Sequence, residues 1–394
     1  LTATRYGGAN PVDGSPIGGG SSYAYGDPFD LMGGGGLSAS HFNAWFKTLL
    51  GWMPSAEVET VISGGTYRIH GLESAIAYGR HALKIPRDAS KAYWVEFRPG
   101  YGTASLSNGA VFHWGYASSA QSYILDMTPG TASGLSDAAL PIGRTFSDSE
   151  AGIHVTPVGK GGTTPETLDL VVNLGTFPGN AAPSVTVSAS SVSIAAGGTV
   201  AFTAAATDPN GDVLAYGWDF GDGTTGSNAS SVSKTFPAAG DFAVQCTVTD
   251  MLGGTARDSV VVRVGSPATH RLSGRVTAGG APVAGVRVSA TSAYAACTDS
   301  DGTYTIAGVP AGTYTISTLL PNYAFSPSGF SNPLAVSANK TGLDFTGAYV
   351  PPGPDLVIKS VTASLSGTSL SLGWQPANVG QRDTATPFAV GFYL

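Results

Sequence analysis

The six histidines, His41, His70, His81, His113, His154 and His270, are the first residues to test for chemistry. A hydrolytic zinc site needs two imidazoles one helical turn apart. It also needs a glutamate after the first, H-E-x-x-H, to take a proton from the metal-bound water. No two of these histidines are four apart, and none is followed by Glu. His70, His113 and His154 sit inside apolar strand patterns, which assigns them to structure. His41 opens a helical run and reads as a hydrogen-bonded, non-metal side chain. The carboxylates make two further constellations. Asp27 and Asp30 flank Pro28–Phe29 in "GDPFDLMGGGG". Paired carboxylates can hold calcium or act as acid and base, but Asp before Pro also begins a turn and bonds its own backbone. In that reading Asp30 fixes the turn at Met32 by accepting backbone N–H bonds. The loop "DPNGD" sets Asp208, Asn210 and Asp212 at alternate positions. That is how a calcium loop presents its oxygens, and a metal-free β-turn is the competing reading.

The elements that must carry these residues are almost all strands. In "SASHFNAWFKTLLGW" Phe42, Trp45, Phe46, Leu49 and Leu50 recur at helical spacing. The spacing predicts one helix over about 40–50, capped by Ser38 or Ser40 and closed by Gly51 before Pro54. Residues 1–37 read as glycine-rich loop. From Glu57 to about Leu174, runs such as "AYWVEFRPG", "GAVFHWGY" and "TLDLVVNLG" alternate or are continuously apolar between Gly and Pro. "FPGNAAP", "GSPATH" and "VPPGPD" punctuate the remainder into further β blocks. The units expected are 1–55, 56–176, 184–265, 270–349 and 355–394.

Composition agrees. Of 394 residues, 55 are Gly and only 11% are charged, with a net charge of −7. That leaves no general basic surface for nucleic acid or anionic lipid. No apolar run approaches the length of a membrane span. Cys246 and Cys297 fall in different blocks and read as buried free thiols. The chain starts at Leu1 within loop-like sequence and ends in "FAVGFYL", which suggests a piece of a longer protein.

Four resemblances organise these blocks. "YGDPFDLMGGGG", "HFNAWFKTLLGW" and "SGGTYRIHGLES", followed by "ALKIP" and "YWVEFRPG", resemble the gametolysin-like and immune-inhibitor-A-like zinc metallopeptidases, over roughly 20–175. The match is to the back half of the catalytic domain and the β region behind it. The resemblance implies that Met32, with Gly33 and Asp30, forms an apolar floor beneath a zinc site. The ligands would lie upstream of Leu1, so no catalytic residue is carried over and the chain itself is expected to be inactive. "TVAFTAAATDPNGDVLAYGWDFGDG" and "KTFPAAGDFAVQCTVTD" resemble a polycystic-kidney-disease (PKD) domain. Trp218 and Phe220 should point between its sheets, with Phe236, Phe242 and Val244 as the opposite wall and a turn at Gly240–Asp241. Some PKD domains bind calcium. "LSGRVTAGGAPVAGVRVSAT" with "CTDSDGTYTIAGVPAGTYTIS" resembles the carboxypeptidase regulatory-like, transthyretin-type sandwich, with Tyr304, Ile306, Tyr314 and Ile316 facing its core. "PDLVIKSVTAS" resembles the start of a bacterial cell-adhesion-related (CARDB-like) domain.

Together these imply a mainly β chain: tandem β-sandwich modules behind a truncated α+β metallopeptidase remnant. They imply a secreted or cell-surface protein, monomeric, acting on extracellular protein or polysaccharide, with zinc in the full-length enzyme and calcium in the PKD loop. The alternative is a non-catalytic extracellular adhesin.

Overall fold

The computed structural model describes residues 2–5, 21–24, 26–33, 41–74, 79–116, 122–128, 134–162, 166–320, 322–350, 356–366 and 369–378. It is mainly β, with tandem sandwiches. Within 1–37, read above as loop, β1 (Thr2–Arg5) pairs antiparallel with β2 (Ser21–Ala24). The proposed caps Ser38 and Ser40 lie outside the described residues.

The first module stacks two sheets. One contains β3 (Val58–Thr60), β5 (Ala82–Pro86), β6 (Lys91–Glu96), β7 (Gly109–Tyr116) and β8 (Ser122–Leu125), with β9 (Leu140–Pro141) paired to β7. The other runs β10 (Phe146–Asp148), β11 (Ile153–Gly161), β12 (Thr167–Leu174) and β4 (Gly65–His70). Between them lie Ile69, Leu83, Tyr93, Phe112, Phe146 and Leu168, all buried. The other face of the larger sheet is covered by the very segments assigned above to a separate unit. Phe29 packs with Leu106, Val111 and Ile124, and Ala44 and Met53 pack with Ala82, Ala92 and Trp94. Phe29 of 26–33 and Ala44 and Met53 of 41–53 therefore share cores with 56–176, and a boundary at 55/56 divides one body.

The helix is shorter than its periodicity predicts. α1 spans Ala44–Leu49, and Asn43 caps it by accepting from Phe46 N at 3.0 Å. Gly51 takes φ +72° just beyond Leu50, as an αL stop requires. Phe46 is buried, but Leu49 and Leu50 are 50% and 48% exposed. The apolar stripe thus overstates the buried face, because only the first turn lies on the sheet.

The second module is a sandwich of β13 (Ser184–Ala189), β15 (Thr199–Thr207) and β17 (Ser231–Thr235) against β14 (Ser193–Ile194), β19 (Thr255–Val264), β18 (Gly240–Thr249) and β16 (Ala215–Asp219). Trp218 and Phe220 do point inward, but the wall facing them differs from expectation. Val244 lies on β18, the neighbour of Trp218's own strand. The opposing side supplies Val187, Val200, Phe202 and Ala204 together with Phe236, which follows β17 and stands there as expected. Each large apolar side chain buried here contributes about 1.5–3 kcal/mol. Gly240 and Asp241 begin β18 and form no turn; Asp241 is a buried anion.

The third module surrounds Leu272, Val288, Tyr304, Ile306, Ile316 and Phe345. Its principal sheet orders β21 (Ala281–Pro282), β20 (His270–Ala278), β29 (Asp344–Tyr349) and β27 (Tyr323–Ser328), with β24 (Thr303–Val309) on the other side of β20. β22 (Arg287–Ser289) pairs with β23 (Ala295–Cys297) and β26 (Ser317–Leu319), and β25 (Gly312–Tyr314) pairs with β28 (Leu334–Val336). Tyr304, Ile306 and Ile316 are buried, and Tyr314 is half-buried against the same core. Cys246 is buried as expected, whereas Cys297 is only half-buried on its short strand. Beyond Val350 the described residues form one hairpin, β30 (Leu356–Ser366) with β31 (Ser369–Asn378).

Candidate functional site

The loop around Met32 is built from its carboxylates. Asp27 Oδ1 accepts from Phe29 N at 2.9 Å, and Asp30 Oδ1 accepts from Met32 N at 2.8 Å, each two residues on. The remaining Asp30 oxygen accepts from Asn43 N at 2.7 Å, tying loop to helix. Gly33 is required by space: a Cβ there would stand 2.3 Å from the Asp27 carbonyl oxygen. The inward residues are Asp27, Phe29 and Asp30; Met32 is 37% exposed.

Behind this loop lies a charged network that sequence reasoning missed. Glu96, Arg98 and His113 have essentially no exposed surface. Register explains their meeting. Glu96 lies opposite Val111 and Trp94 opposite His113, so Glu96 and His113 are diagonal neighbours on one face. Arg98 Nε donates to Glu96 Oε1 at 2.5 Å, and His113 Nδ1 is 3.6 Å from that oxygen. His113 Nε2 reaches Asp27 Oδ2 at 2.9 Å. Arg98 Nη1 also donates to the Phe29 carbonyl at 2.8 Å and to the Tyr101 hydroxyl at 2.9 Å. Glu96 Oε2 accepts from Ala44 N at 2.8 Å. Burial disfavours the imidazolium, but Glu96 and Asp27 outweigh it and raise the His113 pKa above its ordinary value. Burial likewise opposes charge on Asp27 and Glu96. His113 for Asp27, and Arg98 for Glu96, prevail and hold both carboxyls low. Asp30 moves the other way, raised by burial against its two N–H donors.

A catalytic acid or base must reach a substrate, and these groups are sealed from solvent. Their geometry joins three segments: the 27–30 loop, the start of α1 and strands β6–β7. The available signal was "VEFR" and "VFHW", charge or imidazole at every second place in apolar strands. A satisfied partner set cannot be read from one strand.

His41 Nδ1 lies 2.9 Å from the Phe42 carbonyl oxygen and Nε2 lies 3.4 Å from Glu73 Oε1. Among the described residues no three His, Cys, Asp or Glu side chains converge to hold a metal. The zinc implied by resemblance therefore finds no ligand set in this chain's described residues, and nothing here assigns Met32 a metal above it.

In "DPNGD", Asp208 Oδ1 accepts from Asn210 N at 2.8 Å and Asp212 N at 3.2 Å. Asn210 Oδ1 is engaged by Ala181 N at 2.8 Å. Asn180 Nδ2 donates to Asp250 Oδ2 at 2.7 Å, bringing the 180 and 250 segments to the same loop. Asp208 Oδ2 and Asn180 Oδ1 are buried and have no hydrogen-bond partner. Oxygens left so are costly unless a cation or water meets them. Of the expected calcium donors Asp208, Asn210 and Asp212, Asp208 keeps an unpartnered oxygen while Asn210 Oδ1 is committed to backbone; Asp250 adds none, its Oδ1 accepting from Leu252 N and Gly254 N and its Oδ2 from Asn180.

Comparison with known proteins assigns the second and third modules. The PKD domain family matches residues 180–264, and the carboxypeptidase regulatory-like domain family matches residues 271–346. No curated protein matches the chain. Among solved structures, the chain is similar to the PKD domain of an M14-like peptidase from Thermoplasmatales archaeon SCGC AB-540-F20. Identity is 25%, coverage 22% of this chain and 99% of that one, and TM-score 0.21. The PKD1 domain of Vibrio anguillarum Epp is 30% identical over the same shares, with TM-score 0.20. The PKD1 domain of the Vibrio cholerae metalloprotease PrtV is 27% identical, again over 22% and 99%, with TM-score 0.19. The chain therefore carries a PKD domain followed by a carboxypeptidase regulatory-like domain.

Proposed function

We propose that this chain is the attachment region of a secreted multimodular zinc metallopeptidase, holding the enzyme on extracellular protein or polysaccharide. PKD domains usually occur in extracellular proteins, and two of the similar PKD domains belong to peptidases by name. The observation that carries the reading is the way consecutive modules are locked together. Asp241 of the PKD domain is gripped by Arg263 Nη2 and by Arg271 Nη2 of the next module, both at 2.9 Å. The first module is joined to the PKD domain by Thr145 Oγ1 to Thr249 Oγ1 at 2.9 Å and by Asn173 Nδ2 to the Met251 carbonyl at 2.9 Å. Joined modules suit a stiff spacer that holds a catalytic domain at a set distance from its anchorage.

The test is co-sedimentation of the chain with insoluble collagen, chitin and cellulose, together with a zinc-supplemented peptide-hydrolysis assay. Retention on at least one matrix without hydrolysis is expected. Retention on none overturns attachment. Coding sequence upstream of Leu1 that lacks H-E-x-x-H overturns the peptidase assignment and leaves the adhesin. Calcium at the Asp208, Asn210 and Asp212 loop would meet the unpartnered Asp208 Oδ2 there. Titration calorimetry is expected to show dissociation in the range of roughly 10⁻⁴–10⁻³ M typical of extracellular modules, and no heat would remove the site.

A further inference from the structure

His154 stands on the outer face of its strand, yet it is only 4% exposed. Its neighbours Ile153 and Val155 point into the core of the first module, and successive side chains on a strand point to opposite faces. His154 pairs directly across from Ser147 on β10 and from Asn173 on β12, so the three form one row on the outside of the smaller sheet. What covers this row comes from beyond the module. The turn between β18 and β19 of the PKD domain lies on the ring: Gly253 takes φ +116°, and a Cβ there would stand 3.2 Å from His154 Cε1. The Phe177 ring, at the start of the linker, lies 5.6 Å from the imidazole, centroid to centroid. Asn173, in the same row, donates to the Met251 carbonyl of that turn. The imidazole is therefore sealed by the contact between two modules and meets water when they part.

The groups around the ring disfavour a second proton on it. Nδ1 lies 3.0 Å from Ser147 Oγ, a hydroxyl that can bond a neutral ring in either tautomer. Two carboxylates favour an imidazolium, Asp250 on the turn and Asp148 on β10. Both are committed elsewhere. Asp250 Oδ1 accepts from Leu252 N and Gly254 N, and its Oδ2 from Asn180 Nδ2. Asp148 Oδ2 accepts from Arg87 Nε and the Tyr93 hydroxyl, and its Oδ1 from Ala151 N. β12 and the linker bring Asn173 and Phe177, which carry no charge. Burial accordingly lowers the His154 pKa below the ordinary histidine value, and Asp250 and Asp148 oppose this without reversing it.

We propose that His154 makes the joint between the first module and the PKD domain a pH-sensitive hinge, closed over the neutral imidazole and released when the ring takes a proton. The proposal rests on the stiff-spacer reading and adds its regulation. Linkage gives the sign. A histidine that is harder to protonate in the closed joint supports closure fully above its open-state value, near 6.5, and progressively less as pH falls below it. At pH 5.5 one proton favours opening by at most about tenfold. The other bonds of the joint, Thr145 to Thr249 and Asn173 to Met251, link uncharged groups and do not titrate.

Cleavage of the 177–183 linker reads the open state. The rate in the full chain, divided at each pH by that of His154→Gln under the same protease, cancels the protease's own pH profile. Between pH 7.5 and 5.5 this ratio should rise about three- to tenfold; a flat ratio overturns the proposal. Linkage also runs in reverse. A Cβ at Gly143 would stand 1.9 Å from the Tyr216 carbonyl oxygen of the PKD domain, so Gly143→Ala pries the same joint open. It should move the NMR titration midpoint of the His154 ring upward, towards about 6.5. An unmoved midpoint overturns the hinge, and this measurement stands even where His154→Gln does not fold. Failure of the chain to sediment with any matrix overturns attachment alone, since neither the ratio nor the midpoint depends on a matrix.

Discussion

At the scale of single residues the buried ions of the first module decide its stability. Glu96 is matched by Arg98 and, when protonated, by His113, while Asp27 depends on His113. Replacing one partner leaves a charge with no solvent to turn to. Arg98→Met is expected to cost about 3–5 kcal/mol. The double change Glu96→Gln/Arg98→Met should recover part of it, read from urea midpoints; equal losses in single and double variants would refute the pairing. The pH dependence has two arms. His113 has a raised folded pKa, so its contribution is complete below its unfolded value near 6.5 and is lost as pH rises through the folded value. Asp27 and Glu96 have lowered folded values, so their contributions are present above their unfolded values near 3.8 and 4.5 and vanish as pH falls. Asp30, raised, opposes the acid arm without reversing two carboxyls. The first module should be most stable between about pH 5 and 6.5. His113→Gln should flatten the alkaline arm of a melting-temperature profile and shrink the acid arm by the Asp27 part, leaving the part that Glu96 owes to Arg98.

At the scale of elements, the 142–145 turn joins two modules by close backbone approach at Gly143 and by the Thr145 hydroxyl. Gly143 has φ +85°, and a Cβ there would stand 1.9 Å from the Tyr216 carbonyl oxygen. Gly179, in the linker, has φ +90° with nothing within 4 Å. Alanine at either site incurs left-handed strain of about 1–2 kcal/mol, but only Gly143→Ala must also push β16 away. It should split thermal unfolding into separate transitions and speed proteolysis of the 177–183 linker, whereas Gly179→Ala should not. Equal effects would show strain alone at work. This contact also marks what was legible in the sequence. Strand alternation placed Trp218, Phe220, Tyr304 and Ile306 in their cores, because core facing is a property of one strand. Helix length was not legible. Leu49 and Leu50 continue the period, but α1, six residues long and too short to stand alone, is held by Asp30, Asn43 and Glu96 at its first turn. Of these, Asp30 and Glu96 come from other segments of the chain. Val244 was misplaced for the same reason, since strand order in a sandwich is not written in alternation.

At the scale of the whole molecule, "FPGNAAP" and "GSPATH" punctuate the chain into β blocks but do not say how those blocks meet. Thr249, Gln245, Ser259 and Asp241 are the contacts by which the neighbouring modules hold on. Polar interface and polar surface have the same alternation, so sequence pattern cannot separate them. The junction with the third module has a further property. Burial raises the Asp299 pKa to about 6, against the Ser259 bond that lowers it, with Asp258 repelling and Gln245 and Arg257 favouring its charge. A carboxyl whose folded value exceeds its unfolded 3.8 binds its proton more tightly when the junction is closed. Its charge therefore weakens closure progressively as pH rises from about 4 to about 6, with no further change above. Asp241, held low despite burial by Arg263 and Arg271, gives up its contribution only as pH falls below its unfolded value. The junction should accordingly loosen between pH 4 and 6. Hydrogen exchange at Gln245 and Ser259, or small-angle scattering of the chain, would read the change. Asp299→Asn keeps an oxygen for Gln245 Nε2, lets the Ser259 hydroxyl turn to accept from the new amide and removes the titration, so it should abolish the step. A step that persists unchanged in Asp299→Asn would place the titrating group elsewhere.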